Sequence, residues 1–207
     1  MSSKLNKLMA AAALSLLAGT AAQAQTVLKV HHFLPSGSSS QVKIIAPWCA
    51  KIEKESGGEL KCQIYPAMQL GGTPPQLLDQ VRDGVADIVW SVPTYSAGRY
   101  TKSEVFELPF MAINAKQGSQ ALWEYVQKNA LDEYKGIKPL FMHTTEGYVL
   151  HSNKPILKLE DMKGKKIRTA TRISARMMSA MGGTPVQMPL PQVPDALSKG
   201  VVDGVLV

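Results

Sequence analysis

Arg168 is the side chain whose type and position best suit ligand binding. It ends a strand-like run, Lys165–Arg168, and a guanidinium offers a planar fork of donors that can grip a carboxylate through two parallel hydrogen bonds. The same residue also closes a basic run, Lys163-Gly164-Lys165-Lys166-Ile167-Arg168, and such runs are usually solvated. On pattern alone the two readings stand level. His31 and His32 suggest a metal pair, but adjacent residues on an extended backbone point to opposite faces and cannot share one ion. His143 and His151 are far away in sequence and no Cys/His spacing supports a zinc site. A place for His32 or its neighbours in a pocket wall fits better. Cys49 lies in an apolar helical stretch with Val42, Ile45, Ala46 and Ile52, while Cys62 alternates with Leu60 and Ile64 on a strand. A helix packed on the following strand could bring the two sulfurs together, and two buried thiols are the alternative.

Catalytic patterns are missing. There is no G-x-S-x-G elbow, and Cys49 sits among apolar neighbours, a poor setting for a thiolate. Glu53 with Glu55, and Asp132 with Glu133, read as charged helix surface. Gly71-Gly72-Thr73-Pro74-Pro75 lacks the lysine and spacing of a phosphate loop. The expectation is a binding protein without enzymatic activity and without a cofactor.

The elements that must position Arg168 alternate strand and helix, as in an α/β fold with largely parallel pairing. Thr26–His32 reads as a strand. Ser38, Ser39 and Ser40 offer caps to a helix running through Ile52 and stopping at Gly57-Gly58. Glu59–Tyr65 is the next strand, Pro74-Pro75 open a helix that ends near Gly84, and Ala86–Val92 is the third strand. The last forty or so residues repeat this order. Lys165–Arg168 is followed by a helix carrying Met177, Met178 and Met181, whose methionines suit a core. Then come Gly182-Gly183, the strand Thr184–Met188, a helix from Pro191 to Gly200, and another strand. Both helix-to-strand junctions share a spelling: Gly84-Val85-Ala86-Asp87-Ile88-Val89 and Gly200-Val201-Val202-Asp203-Gly204-Val205. A duplicated unit follows. Between the copies lie a helix around Gln117–Tyr134 and two strand-like runs, Ile137–His143 and Gly147–Ser152, the second suited to cross between lobes. Ligands of open α/β sheets sit beyond the carboxyl ends of the strands, so His32–Pro35, Val92–Tyr95, Thr144–Tyr148 and Arg168–Arg172 should face one cleft.

The 207-residue chain is 45% hydrophobic and 19% charged with a formal charge of +7, which excludes a disordered polymer. Its basic residues are scattered and aromatic residues are few, so nothing marks a nucleic-acid partner. Lys4 and Lys7 precede an apolar run, Leu8–Ala18, and the small-residue pattern Ala22-Gln23-Ala24. This is the grammar of a secretory signal peptide over residues 1–24, cleaved before Gln25. No later stretch is long and apolar enough to span a membrane.

Several segments carry a resemblance: Gly71-Gly72 before a proline-rich helix start, Asp79–Gly84 with Asp87, Glu107-Leu108-Pro109-Phe110, Ser152-Asn153-Lys154-Pro155-Ile156, Asp161–Arg168, and Val201-Val202-Asp203-Gly204. Together they resemble the extracytoplasmic solute-binding proteins of TRAP transporters, DctP type. The resemblance implies a two-lobe α/β periplasmic binding protein with hinge-connecting strands, lobe I over 25–144 and part of lobe II over 145–207. It implies that Arg168 clamps the carboxylate of an organic acid, which is delivered to a sodium-driven TRAP permease in the membrane. Some relatives that bind acidic sugars carry a second arginine near the start of the Gly147–Ser152 strand, where this chain has Tyr148. Family members also continue past the position of Val207, so an incomplete second lobe is expected, with exposed sheet edges. The expected cleft wall is apolar or aromatic: Phe33, Trp90, Val92, Tyr95, Tyr148 and Leu190. Trp90 and Val92, inside a strand, suit lobe core equally well. With one arginine, this wall suits a monocarboxylate with an apolar or aryl body, and Thr144, Thr145 and Glu146 could add hydroxyl or amine recognition. A ligand sensor feeding a receptor would use the same binding physics.

Overall fold

The computed structural model describes residues 25–207, so the signal-peptide reading lies outside the described residues. The first sheet has the order β2-β1-β3, formed by β1 (Thr26–His32), β2 (Leu60–Tyr65) and β3 (Ile88–Trp90). All its pairs are parallel, with Val30 opposite both Ile64 and Ile88. Helix α1 (Ala46–Glu55) covers one face, where Val30, Ile45 and Cys49 pack with Ile64, Ile88 and Trp90. Helices α2 (Leu77–Arg82) and α3 (Ala115–Tyr125) cover the other, through a core of Leu78, Tyr100, Leu122, Val126, Ala130 and Tyr134 against Val89. Ile88 and Trp90 on one side and Val89 on the other follow the period of two of a strand.

Two sequence features explain how α1 begins and where it is anchored. The chain from Gln41 to Ile45 winds as a π-turn before α1, and Pro47, at the first turn of α1, has no N–H to return to the preceding turn. Ser38 supplies the cap, its hydroxyl accepting from Gln41 N at 3.4 Å. At the far end Gly57 and Gly58 take positive φ and turn the chain into β2. Cys49 of α1 and Cys62 of β2 are bonded, with Cα atoms 5.6 Å apart, which settles the two-thiol alternative in favour of the disulfide.

The second sheet is β4-β7-β5-β6, with β4 (Leu150–Ser152), β5 (Lys166–Thr169), β6 (Thr184–Gln187) and β7 (Gly204–Leu206). Its parallel part, β6-β5-β7, reproduces the order of β2-β1-β3. Helix α4 (Arg172–Ala180) packs Met178 on Ile167, Met162 and Leu206. Helix α5 (Val193–Ser198) packs on the opposite face with Met188, Val202 and Val205.

The duplication extends to single hydrogen bonds. Asp87 takes the backbone of Lys29 at both ends: its N–H donates to Lys29 O at 3.0 Å and its carboxylate accepts from Lys29 N at 2.7 Å. Asp203 does the same to Lys166, at 2.7 and 2.8 Å. Each aspartate staples the last strand of its unit to the first, which is why the two junctions share a spelling.

One expectation needs correction. Ile137–His143 forms no strand, and only Leu150–Ser152 of the second run does. Leu150–Ser152 pairs antiparallel with β7, and Val149 and Val207 extend the ladder by two bonds. Residues 137–143 have no ladder partner among the described residues, so their alternating pattern is spent on side-chain packing, with Ile137 and Met142 against the α3 core. The remaining boundaries shift by one to three residues, as fraying ends do.

Candidate functional site

Arg168 sits on β5, the central strand of its parallel unit, opposite Val186 and Val205. It is only 2% exposed, so it is not part of a solvated basic run. Nε donates to Met188 O at 3.0 Å, just beyond β6, and Nη1 donates to Leu206 O at 3.1 Å, on β7. The side chain thus spans the carboxyl ends of both neighbouring strands and is held rigidly. Nη2 is buried with no partner among the described residues. Nature rarely leaves such a donor unmet, and the desolvation cost of an unsatisfied charged group is large. Of the fork, Nη2 alone lacks a partner among the described residues, because Nε and Nη1 are both committed.

The chain before β4 runs alongside β7 and brings Tyr148 within the influence of the Arg168 charge. Leu150 pairs with Leu206, whose carbonyl holds Arg168. Tyr148 is 42% exposed, and partial burial raises the phenol above its ordinary pKa. The charge of Glu107 adds to the rise; the Ser174 hydroxyl and Arg168 oppose it.

An aromatic cluster gathers at the carboxyl ends of the first sheet. Phe33 follows β1, is 3% exposed, and lies 5.3 Å from Trp90 and 5.6 Å from Tyr95 between ring centroids. Trp90 in turn stacks on His143 at 5.7 Å and donates from Nε1 to its Nε2 at 3.1 Å. Tyr95 closes a short turn, Pro93–Tyr95, that Val92 caps directly after β3. Its hydroxyl accepts from Leu190 N at 3.3 Å, so the loop ends of β3 and β6 meet here. Val92 and Leu190 are both half-buried.

Contacts link part of the expected set: Phe33 meets Tyr95 and Tyr95 bonds Leu190 N, while Arg168 acts on Tyr148 through its charge. Thr145 and Glu146 do not join that hydrogen-bond set. Glu146 accepts from Ala115 N at 3.2 Å and so serves the start of α3. Thr144 is held against the same helix by Ser119 and Ala115, and Thr145 is exposed. The cause is local: Gly118 has no side chain, and a Cβ there would come within 2.6 Å of Thr144 Oγ1. His32 is no wall residue either. Its Nδ1 accepts from Leu34 N and its Nε2 meets Gln41 Oε1 at 2.9 Å, while His31 is satisfied by Gln80 and Leu70. Burial lowers the pKa of both imidazoles, keeping them neutral.

Two carboxylates after the first sheet are not among the expected wall residues. Glu107 hydrogen-bonds the Thr94 hydroxyl through Oε1, and its Oε2 is buried and unpartnered among the described residues. Glu104 is 4% exposed and is gripped by Arg172, whose Nε lies 2.6 and 2.8 Å from its two oxygens. Glu107 was visible only as part of a family signature, and the Glu104–Arg172 pair spans 68 residues, beyond any local pattern. A surface hollow of ≈ 340 Å³ elsewhere, lined by Ser119, Gln120, Trp123, Leu140, Phe141 and Met142, offers no charged side chain and so does not suit an acid.

Residues 30–206 match the family model described as bacterial extracellular solute-binding protein, family 7, DctP. The chain belongs to that family. Among solved structures it is similar to a TRAP solute-binding protein from Rhodoferax ferrireducens T118 in complex with copurified benzoate. Identity is 47%, the TM-score 0.86, and the match covers 88% of this chain and 57% of that one. It is equally similar to a marine-metagenome TRAP solute-binding protein specific for aromatic acid ligands, in complex with 3-hydroxybenzoate, at 48% identity, TM-score 0.86 and coverages of 88% and 57%. A TRAP protein from Bordetella bronchiseptica with bound (R)- and (S)-mandelate matches at 28% identity and TM-score 0.80, over 88% of this chain and 58% of that one. The chain thus spans little more than half the length of these family members. Among its described residues, no helix is long and apolar enough to cross a membrane.

Proposed function

We propose that the protein captures a small aromatic monocarboxylate in the periplasm and hands it to a sodium-driven TRAP permease. In this reading residues 1–24 are the export signal, 25–144 form lobe I and 145–207 contribute to lobe II. Arg168 takes the ligand carboxylate, and Phe33, Tyr95, Tyr148, Val92 and Leu190 surround its ring. Thr145 and Glu146 stay at the rim and contribute little.

The observation that carries the reading is the Nη2 edge of Arg168, buried and unpartnered among the described residues, on the lobe that faces the aromatic wall. A dry guanidinium beside rings selects an anion with a flat apolar body. The ligands of the similar proteins, benzoate and 3-hydroxybenzoate, have that shape. The chain departs from an acidic-sugar site because Tyr148 offers a ring and not a second cation.

Isothermal titration with benzoate tests it. The protein should bind benzoate, and Arg168→Ala should lose about 2–5 kcal/mol, as for truncation of one partner of a buried charge pair. Binding of sugar acids in preference to benzoate, or unchanged affinity in the variant, contradicts the reading.

A further inference from the structure

His143 closes the run 137–143, which finds no ladder partner among the described residues, yet it is tied to β3 through a side chain. Trp90 Nε1 donates to His143 Nε2 at 3.1 Å, and the two rings stack at 5.7 Å between centroids. Phe141 stacks on the same imidazole at 6.0 Å. An indole N–H can only donate, so the accepting Nε2 is bare and the neutral ring carries its proton on Nδ1. Part of His143 stays exposed, and solvent protons reach it. Among the described residues no charged side chain acts on it: burial lowers its pKa, and a hydrogen bond with the Thr144 backbone raises it. Acid therefore converts Nε2 from an acceptor into a donor, and the bond to Trp90 is lost.

A continuous line of ring contacts runs inward from this bond. Trp90 meets Phe33 at 5.3 Å, Phe33 meets Tyr95 at 5.6 Å, and the Tyr95 hydroxyl accepts from Leu190 N at 3.3 Å. Trp90 is half-buried and spends its single donor on His143. Phe33 is buried, and a close-packed interior passes the displacement of one ring to the next.

We propose that His143 is a positioning residue for ligand capture: its unprotonated Nε2 holds Trp90, and through Trp90 the Phe33 ring, in the arrangement that receives an aromatic acid. The proposal rests on the reading of Phe33 and Tyr95 as ligand wall and deepens it by making capture pH-dependent. The folded imidazole titrates below the usual 6.5, so affinity is full at neutral pH and declines as pH falls through the window beneath that value.

The test is titration calorimetry with benzoate at pH 7.5 and pH 5.0, where the acid stays mostly ionised, on wild type, His143→Gln and His143→Leu. Gln keeps an amide oxygen for the Trp90 N–H at both pH values, and Leu offers no acceptor. On acidification wild type should lose about fivefold more affinity than His143→Gln, the effect of one hydrogen bond. His143→Leu should bind about fivefold more weakly than wild type at pH 7.5 and share the flatter profile of His143→Gln. Titration of His31 and His32 is common to all three proteins and cancels in the comparison. The indole N–H resonance of Trp90, assigned by its loss in Trp90→Phe, should move with acid in wild type and stay in place in His143→Gln. Should His143→Leu fail to fold, the contrast between wild type and His143→Gln decides alone. If those two lose affinity equally, or the resonance ignores pH in wild type, the role of His143 is overturned and that of Arg168 stands. If wild type binds no aromatic acid at pH 7.5, the reading of Arg168 and its wall falls, and this one with it.

Discussion

Arg172 holds Glu104 across the cleft, with Nε 2.6 Å from one carboxylate oxygen and 2.8 Å from the other. Arg172 begins α4 on the second sheet, whereas Glu104 belongs to the turn after the first. With Tyr95 bonded to Leu190 N, the pair ties the segments after the first sheet to those after strands of the second. A carboxylate as buried as Glu104 needs its cation, while Arg172 is partly solvated, with 38% of its side chain exposed, so salt can weaken the pair.

Arg172→Ala should therefore shift the protein toward an open form. Small-angle scattering should show a larger radius of gyration without ligand, and aromatic-acid affinity should fall severalfold because closure now depends on ligand contacts alone. A radius unchanged from wild type, with unchanged affinity, contradicts a fastening role. Raising the ionic strength should move wild type the same way and leave the variant indifferent.

The Cys49–Cys62 bond closes a short loop between α1 and β2. For a loop of this size the constraint on the unfolded chain is worth about 3 kcal/mol. Urea unfolding with and without reductant should show that loss, and Cys49→Ala with Cys62→Ala should behave like the reduced protein. Coincident curves would mean that packing against Val30 and Ile45 holds α1 without the bond.

Acid should loosen the first lobe. His31 and His32 are buried and each accepts a backbone N–H, so protonation must break those bonds, and burial lowers both pKa values. The unfolded chain takes up its protons near pH 6.5, while the folded protein does so only at lower pH. Stability is thus full above that value and falls as pH drops through the window below it. Glu107 is shifted upward and acts with the opposite sign, adding stability below its unfolded pKa that is lost as pH rises. Melting curves from pH 7.5 to pH 5.5 should show a declining midpoint in Glu107→Gln, where only the histidines remain. A midpoint that rises on acidification contradicts the assignment of two neutral imidazoles.

The repeat was legible because it is written in punctuation. Gly84 and Gly200 adopt positive φ, and Asp87 and Asp203 clamp Lys29 and Lys166 through the same pair of bonds. Backbone demands of that kind leave local traces. Arg168 was legible as a residue at the mouth of a strand, although its burial was not, since the basic run around it reads as surface. Residues 137–143 were misread because alternation signals only the capacity to form a strand; pairing also needs a neighbour. Glu146 was assigned to the cleft from its place after a strand-like run, but the close approach at Gly118 draws that segment onto α3. The pairing of Glu104 with Arg172 leaves no local trace, because the two lie 68 residues apart, and Glu107 shows only within the family signature.

A crystal structure of the protein with benzoate bears most directly on the role of Arg168. A benzoate carboxylate oxygen should lie about 2.7–2.9 Å from Arg168 Nη2, the span of a charge-assisted hydrogen bond, with the ring between Phe33, Tyr95 and Tyr148. A benzoate found away from Arg168, or seated in the cleft with its carboxylate turned toward solvent, would contradict it.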